Sequence, residues 1–198
     1  MRRIILASAS PRRKELLSKY LKFKIDISNF DESSIDQRKY SPIEFAKHLS
    51  LQKAKEVAKK YKDAVIIAAD TLVVLDDEIL GKPSNEKHAR EMLEKLSGKM
   101  HLVITGFTII DTKTKKTSTK SVETKVYFRK ISEDEIDQYV QNGEPLGKAG
   151  AYGIQDKAGI FVEKIEGDFF NVVGLPLCAL FEELKRLRLK LIIYPSGI

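Results

Sequence analysis

Residues 3–20 read RIILASASPRRKELLSKY, an apolar run that leads at once into a helix start. The segment from Arg3 to Ala7 predicts a short buried strand, and the residues from Pro11 to Tyr20 predict a helix directly after it. Ser10 is a favourable N-cap, and Pro11 takes the first helical position, where its missing N–H costs nothing. A strand that leads at once into a helix indicates a chain that mixes both element types.

Strands and helices continue to alternate downstream. Further strands are expected at Phe23–Ser28, Ala64–Ala69, Leu72–Leu75, Leu102–Ile110, Ser118–Phe128 and Gly159–Ile165. Further helices are expected from a capping box at Ser41 to Tyr61, from Asn85 to Gly98, from a capping box at Ser132 to Gly143, and over Leu175–Leu187. Residues Asp111–Thr117 read as a hairpin tip. The pattern predicts an α/β fold with a mixed sheet and flanking helices, in a single domain over 1–198.

Composition predicts a soluble, cytoplasmic globular protein. Of the 198 residues 42% are hydrophobic, which is enough for a core. The longest uncharged apolar run, residues 172–181, is far shorter than the roughly 18 to 20 residues of a membrane span. The apolar stretch after Met1 is too short for a signal peptide. The one cysteine, Cys178, agrees with a reducing compartment, and its apolar surroundings predict core packing.

The net charge of +7 is concentrated at the N-terminus. Residues 1–25 contain eight basic residues and one acid, Glu15, whereas the remainder is balanced. A basic segment of this kind indicates an anionic partner, either a phosphorylated small molecule or nucleic acid, and the alternative is a solvated basic face. The chain has no tryptophan and only 8% aromatic residues, so a stacking surface for nucleic acid is not indicated.

The helix start at Ser10 is the first candidate site. Arg12 and Arg13 oppose the helix macrodipole by roughly 0.3 to 1 kcal/mol each, and a bound phosphate would reverse that effect. The alternative is an ordinary cap with exposed arginines. Asp70-Thr71, between two apolar runs, is either a functional pair at a strand end or a kink where the chain turns.

Other chemistry-bearing residues are isolated in the sequence. Lys53, Lys82 and Lys148 would each more often be solvated than functional. Asp31-Glu32 follows a predicted strand and fits either magnesium ligation or a turn. Gly147-Lys148-Ala149-Gly150 lacks the spacing of a phosphate-binding P-loop.

Taken together, several motifs resemble those of the Maf family. They are Ser8-x-Ser10-Pro11-Arg12-Arg13, Ala69-Asp70-Thr71, Gly81-Lys82-Pro83, Leu96-Ser97-Gly98 with His101 and Thr105-Gly106, Gly143-Glu144-Pro145, residues 148–155 and residues 171–176. The resemblance implies a fold similar to inosine-triphosphatase-type enzymes, with two lobes around an elongated mixed sheet and a cleft between them. It also implies a nucleoside triphosphate pyrophosphatase that releases a nucleoside monophosphate and pyrophosphate with a divalent cation. Family members are associated with nucleotide-pool cleaning and with restraint of septum formation, and a homodimer is what the family suggests.

The resemblance assigns roles to the isolated residues. Asp70 would act as general base on the water that attacks the α-phosphorus. Mg²⁺ or Mn²⁺ would be held by Glu32 and Asp70. Lys53 and Lys82 would stabilise charge on the α-phosphoryl group and the leaving pyrophosphate. The remaining substrate-binding residues implied are Ser8, Ser10, Arg12 and Arg13 around the phosphates, together with Thr71, Lys148 and Gln155.

Base preference is expected to depend on Gln155. The chain resembles the dTTP/UTP branch of the family at Arg12, Thr71 and Gln155, whereas the 7-methyl-GTP branch tends to have glutamate at the last position. A glutamine amide offers both a donor and an acceptor, which complements the N3–H and O4 of uracil or thymine. The alternative is that Gln155 only bonds backbone.

The chain departs from the family pattern in two places. Asp156 replaces a glycine after the glutamine, which would add negative charge near the triphosphate, and Asp168-Phe169-Phe170 replaces smaller polar residues. Two other function classes remain open at this point. One is a nucleotide-sensing regulator of cell division with little turnover, and the other is a nucleic-acid binder that uses the basic N-terminus.

Overall fold

The computed structural model describes residues 2–189, and these fold into an α/β structure. The strands are β1 (Arg3–Leu6), β2 (Lys24–Ile25), β3 (Ala64–Leu75), β4 (Glu78–Leu80), β5 (Met100–Asp111), β6 (Thr117–Phe128) and β7 (Val162–Glu166). The α-helices are α1 (Pro11–Ser18), α2 (Pro42–Ala58), α3 (Glu86–Leu96), α4 (Glu133–Gln141), α5 (Phe169–Val173) and α6 (Leu177–Arg186). No helix within residues 2–189 combines the length and apolar character needed to cross a membrane.

The strands form one mixed sheet. Neighbouring strands follow the order β2-β1-β3-β5-β6-β7, and β4 pairs with β3. Strand β1 runs parallel to both β2 and β3, with Ile5 opposite Lys24 on one side and Ile66 on the other. Strands β4 and β7 are antiparallel to β3 and β6. The predicted fold class is therefore confirmed.

The chain divides into two compact units. The first consists of the described parts of Met1–Asp70, Thr105–Val122 and Gly174–Ile198. In its core, Ala54 and Val57 of α2 pack with Ile66 and Ala68 of β3.

Close packing inside the first unit depends on Gly106. A Cβ built on this residue of β5 would lie 2.3 Å from the carbonyl carbon and oxygen of Ala46 in α2. Backbone atoms cannot move aside as a flexible side chain would, so only glycine permits this approach of strand to helix.

The second unit consists of Thr71–Ile104 and Glu123–Val173. Its core contains Leu93 and Leu96 of α3, Ile136 of α4, and the aromatic rings of Phe128 and Phe161. The two rings pack edge to face with centroids 6.1 Å apart, an arrangement that aromatic pairs favour.

The three helix starts predicted from capping serines are confirmed, whereas the last helix, expected from Leu175, starts at Leu177. The Ser10 side chain caps α1, and Pro11 is its first residue. Full capping boxes open α2 at Ser41 and α4 at Ser132. At the end of α3, Gly98 has a φ of +69°, the left-handed conformation that glycine adopts without strain.

Several helices and strands are shorter than predicted. Helix α1 ends at Ser18 and α2 at Ala58, and only Lys24–Ile25 of the strand expected at 23–28 pairs with a neighbour. The strand expected from Gly159 begins only at Val162, because residues 157–161 form a 3₁₀ turn. The short elements β4 and α5 were not predicted.

The prediction of core packing for Cys178 was wrong. The buried residues of α6 are Leu177, Leu180 and Leu184, and Cys178 lies off that stripe and is exposed. Its sequence neighbours are apolar, but a helix turns by about 100° per residue, so adjacent residues face different directions and burial of the neighbours does not imply burial of Cys178.

Candidate active site

Asp70 lies in the middle of strand β3, where its side chain is only 11% exposed. The sequence suggested either a functional pair at a strand end or a kink at Asp70-Thr71. Both placements were wrong, because β3 continues without a break from Ala64 to Leu75, whereas the functional role of Asp70 stays a prediction. A buried carboxylate in a strand needs a partner of opposite charge. Lys53 supplies it, with Nζ 2.5 Å from Oδ1 of Asp70.

Packing of α2 on β3 brings Lys53 to Asp70. Lys53 immediately precedes Ala54, which packs with Ala68 in the core of the first unit. Lys53 is thereby placed next to β3, and its side chain is only 14% exposed.

Glu32 contacts the same ammonium group. Its Oε1 lies 2.8 Å from Lys53 Nζ, so Lys53 bridges the carboxylates of Glu32 and Asp70. Glu32 begins a 3₁₀ turn that Asp31 caps through hydrogen bonds from the backbone N and the hydroxyl of Ser33. Of the two acids at 31–32, Asp31 therefore stabilises the turn, and Glu32 forms the ion pair with Lys53.

The start of α1 forms a second part of this site. The Ser8 hydroxyl accepts hydrogen bonds from the backbone N of Ser10 and from Nη1 of Arg13, each at 3.2 Å. Arg13 Nε donates to the Gly174 carbonyl at 2.8 Å, which fixes the guanidinium group. Ser10 accepts from the Arg13 backbone N at 3.4 Å as the helix cap.

Electrostatics connects the two parts. Burial lowers the pKa of the Arg13 guanidinium, and Arg12 lowers it further, whereas attraction to Asp70 and Glu32 acts in the opposite direction. The first unit therefore gathers Ser8, Ser10, Arg12, Arg13, Glu32, Lys53 and Asp70, all expected from sequence, into one charged region.

The other expected residues belong to the second unit. Thr71 follows Asp70 on β3 and is half-buried. Lys82 is exposed in the loop after β4, forms no ion pair with residues 2–189, and lines a groove of about 290 Å³ with His88 and Lys95 among others. Gln155 is exposed, and its side chain makes no hydrogen bond to the backbone anywhere in the described part of the chain.

Lys148 differs from Lys82 because it is already paired. Its Nζ lies 2.7 Å from Oδ2 of Asp156 and 3.2 Å from Oε1 of Glu144, and its side chain is 10% exposed. The added negative charge that Asp156 brings is therefore opposed by a lysine. Sequence reasoning missed both partners, although the spacing of four residues between Glu144 and Lys148 was a signal that could have pointed to Glu144.

The second unit also contains a buried aromatic cluster of His101, Phe128 and Tyr152. Nε2 of His101 lies 2.7 Å from the hydroxyl of Tyr152, and the imidazole packs edge to face against the rings of Tyr152 and Phe128. Burial lowers the pKa of His101 to about 4 and raises the pKa of the Tyr152 hydroxyl. His101 is therefore neutral at pH 7 and serves packing.

Glu32 and Asp70 are the residues that fit a divalent cation. Both place an oxygen on the same Lys53 ammonium group, so the two carboxylates already converge on one positive charge. Residues 2–189 contain no cluster of three or more histidine, cysteine or acidic side chains that could ligate a metal alone. A donor set of two carboxylates suits Mg²⁺ or Mn²⁺, which take the rest of their oxygen ligands from water and phosphate.

The chain is similar to known proteins along almost its whole length. The family model described as Maf-like protein matches residues 3–187. A dTTP/UTP pyrophosphatase of Dictyoglomus thermophilum is 48% identical over 185 residues, covering 93% of this chain and 95% of that protein. Enzymes of the same name from Alkaliphilus metalliredigens and Bacillus cereus are 49% and 50% identical over 188 and 187 residues, each covering 94% of this chain and 96% of its own length.

Proposed function

The chain belongs to the Maf family, and from that premise we propose that it hydrolyses nucleoside triphosphates between the α- and β-phosphates, with dTTP and UTP as preferred substrates. The products are a nucleoside monophosphate and pyrophosphate. The observation that carries the proposal is the bridge from Glu32 through Lys53 to Asp70. Residues 1–198 act as one catalytic domain, a role supported by the family match over residues 3–187, which covers segments of both compact units.

Asp70 is the general base in this mechanism. It removes a proton from the water whose oxygen forms the new bond to the α-phosphorus, while the bond from that phosphorus to the bridging oxygen of pyrophosphate breaks. Lys53 contacts Oδ1, so Oδ2 is the oxygen assigned to take the proton. Position in the centre of a strand supports this role, since a strand backbone holds a reacting group in a fixed place.

The remaining charges bind the triphosphate. Arg13, Ser8 and the N-terminus of α1 provide a cradle of N–H and hydroxyl groups, and Arg12 adds a second guanidinium. Lys53 and Lys82, the latter without an ion pair among residues 2–189, stabilise negative charge on the α-phosphoryl group and on the leaving pyrophosphate. When bound, Mg²⁺ or Mn²⁺ held by Glu32 and Asp70 would neutralise phosphate charge.

Base selection is assigned to Gln155. Its exposed amide has a donor and an acceptor to offer to the N3–H and O4 of uracil or thymine. The names of the similar enzymes support the same preference, since each is a dTTP/UTP pyrophosphatase. Thr71, next to the general base on β3, is assigned to substrate binding with it.

The test is pyrophosphate release from a panel of nucleoside triphosphates by the full chain, with EDTA, Mg²⁺ or Mn²⁺. We expect dTTP and UTP to be turned over first, only with metal present, and Asp70→Asn to reduce kcat by about 10²- to 10⁴-fold. Asp70→Asn should still fold, because Glu32 continues to neutralise Lys53.

Asp76→Asn is the matched control. Asp76 lies in the turn after β3, is 82% exposed, and has a φ of +48° that asparagine also tolerates. Full activity in Asp70→Asn would refute the mechanism. A folded wild-type protein that hydrolyses no triphosphate would refute the enzyme assignment and favour a nucleotide sensor, and a preference for 7-methyl-GTP would refute the role of Gln155.

A further inference from the structure

In the second unit, the buried Lys148 forms ion pairs with two carboxylates. Lys148 is nine-tenths buried and has carboxylate oxygens from Glu144 and Asp156 within 3.2 Å. Glu144 is itself held, since its Oε1 accepts a hydrogen bond from the Tyr139 hydroxyl at 3.1 Å. An ammonium group so enclosed is already neutralised, and a substrate phosphate would have to compete with two carboxylates for it.

Asp156 also stabilises, through its backbone, the turn that contains Gln155. The backbone N of Asp156 donates to the Gly153 carbonyl at 3.1 Å, and its own carbonyl accepts from the Gly159 backbone N at 2.9 Å. Before the turn, Tyr152 is fixed by His101. Gln155 is thus an exposed residue in a turn that is tied down at both ends.

Gly153 fits against the same ion pair. A Cβ at this position would lie 2.5 Å from Oδ2 of Asp156 and 3.4 Å from Nζ of Lys148. The turn therefore packs directly on the carboxylate, which leaves little room for Asp156 to move while the turn keeps its shape.

We propose that Asp156 is a positioning residue for base selection. Its ion pair with Lys148 fixes the turn at 153–156, and the fixed turn presents the Gln155 amide to the pyrimidine edge. This inference rests on the proposed function, because it needs Gln155 to read the base. Asp156 itself has no contact with the substrate in this proposal, and the buried partner Lys148 orders the turn.

Asp156→Asn is the primary variant. It removes the charge but keeps the size, and Glu144 still neutralises Lys148, so the protein should fold. We expect the kcat/KM ratio of dTTP to dATP to fall about tenfold, through a higher KM for dTTP at a kcat within about twofold of wild type. Amide hydrogen exchange in the peptide 150–160 should accelerate by about tenfold.

The matched control is Glu166→Gln. It also removes one acid that pairs with lysines of the second unit, but Glu166 and its partners Lys164 and Lys125 are 42%, 60% and 51% exposed. Neither the selectivity nor the exchange of the peptide 150–160 should change in this control, because exposed pairs contribute little.

A double-mutant cycle tests whether Asp156 acts through Gln155. We expect Gln155→Ala to lower the dTTP preference by itself, and Asp156→Asn to add less than about a twofold further loss in that background. Gly153→Ala provides an independent perturbation, because its Cβ displaces the Asp156 carboxylate while every charge is retained. It should reproduce the exchange and selectivity changes of Asp156→Asn.

The outcomes separate this inference from the proposed function. Unchanged selectivity and exchange in Asp156→Asn, or additive losses with Gln155→Ala, would overturn the positioning role while the wild-type preference for dTTP and UTP stood. A wild-type enzyme with no pyrimidine preference would overturn the proposed base selection and, with it, the role of Asp156. Accelerated exchange together with a non-additive loss of selectivity supports the proposal.

Discussion

Acid should destabilise this protein through the buried imidazole of His101. The residue is 1% exposed, and burial lowers the pKa of its imidazole from the ordinary 6.5 to about 4. As pH falls from 6.5, the unfolded chain takes up a proton on this residue, whereas the folded chain keeps it neutral until about pH 4. Stability is therefore lost between these two values, and protonation below pH 4 is common to both states.

The size of the effect follows from the same two pKa values. The pKa of His101 is 6.5 in the unfolded chain and about 4 in the folded chain. This difference makes the free energy of unfolding about 3 kcal/mol smaller at pH 4 than at pH 7. Because a domain has only about 5 to 15 kcal/mol of stability, such a loss is easily measured.

Urea unfolding at a series of pH values from 4 to 7.5 measures this loss. His101→Gln is the test variant because a glutamine amide can hydrogen-bond and does not titrate. The wild type should lose about 3 kcal/mol more than the variant between pH 7 and 4. Charge effects of Asp111 and Glu135, whose pKa values are lowered by Arg2 and Arg129, are common to both proteins and cancel.

His88→Gln is the control, since it removes an imidazole outside the buried aromatic cluster. If the wild type and His101→Gln lost the same free energy of unfolding between pH 7 and 4, the assignment of a buried neutral histidine at position 101 would be refuted.

Three further predictions concern other parts of the chain. Gly106→Ala should lower the free energy of unfolding by about 2 to 4 kcal/mol in urea titrations, because its Cβ would overlap the Ala46 carbonyl. The control Gly81→Ala should change the free energy of unfolding by less than about 1 kcal/mol, because a Cβ at Gly81 would have no atom within 4 Å. Cys178→Ser should leave stability and turnover unchanged, and native Cys178 should react with a thiol reagent without unfolding. Arg13→Lys should raise the KM for dTTP about tenfold with an unchanged fold, since a lysine has no Nε–H to keep the hydrogen bond that fixes the guanidinium; an unchanged KM would contradict the phosphate-binding role.

Elements with strong local signals were predictable from sequence. Ser10-Pro11, Ser41 with Glu44, and Ser132 with Glu135 each satisfy the first backbone N–H groups of a helix with a nearby side chain. Such contacts involve residues three or four apart, so a short window of sequence contains the whole cause.

Asp70 shows where local reasoning was insufficient. A carboxylate between two apolar runs indicated an interruption, yet β3 continues through it because Lys53, 17 residues earlier, neutralises the charge. Asp156 presents the same difficulty, since the lysine that opposes its charge lies eight residues away on another segment. Which charges meet depends on the tertiary packing of separate segments, and no periodicity in the sequence encodes that directly.

The division into two units has a consequence for how this protein could have been assembled in evolution. The chain passes from one unit to the other at 70/71, 104/105, 122/123 and 173/174, so neither unit corresponds to one continuous stretch of gene. Three of these passages lie inside β3, β5 and β6. Recombination at a single junction could not donate or delete either unit intact, and an ancestral form with only one of them would have required several coordinated rearrangements. The interleaving of the segments therefore favours change by substitution over exchange of a whole unit.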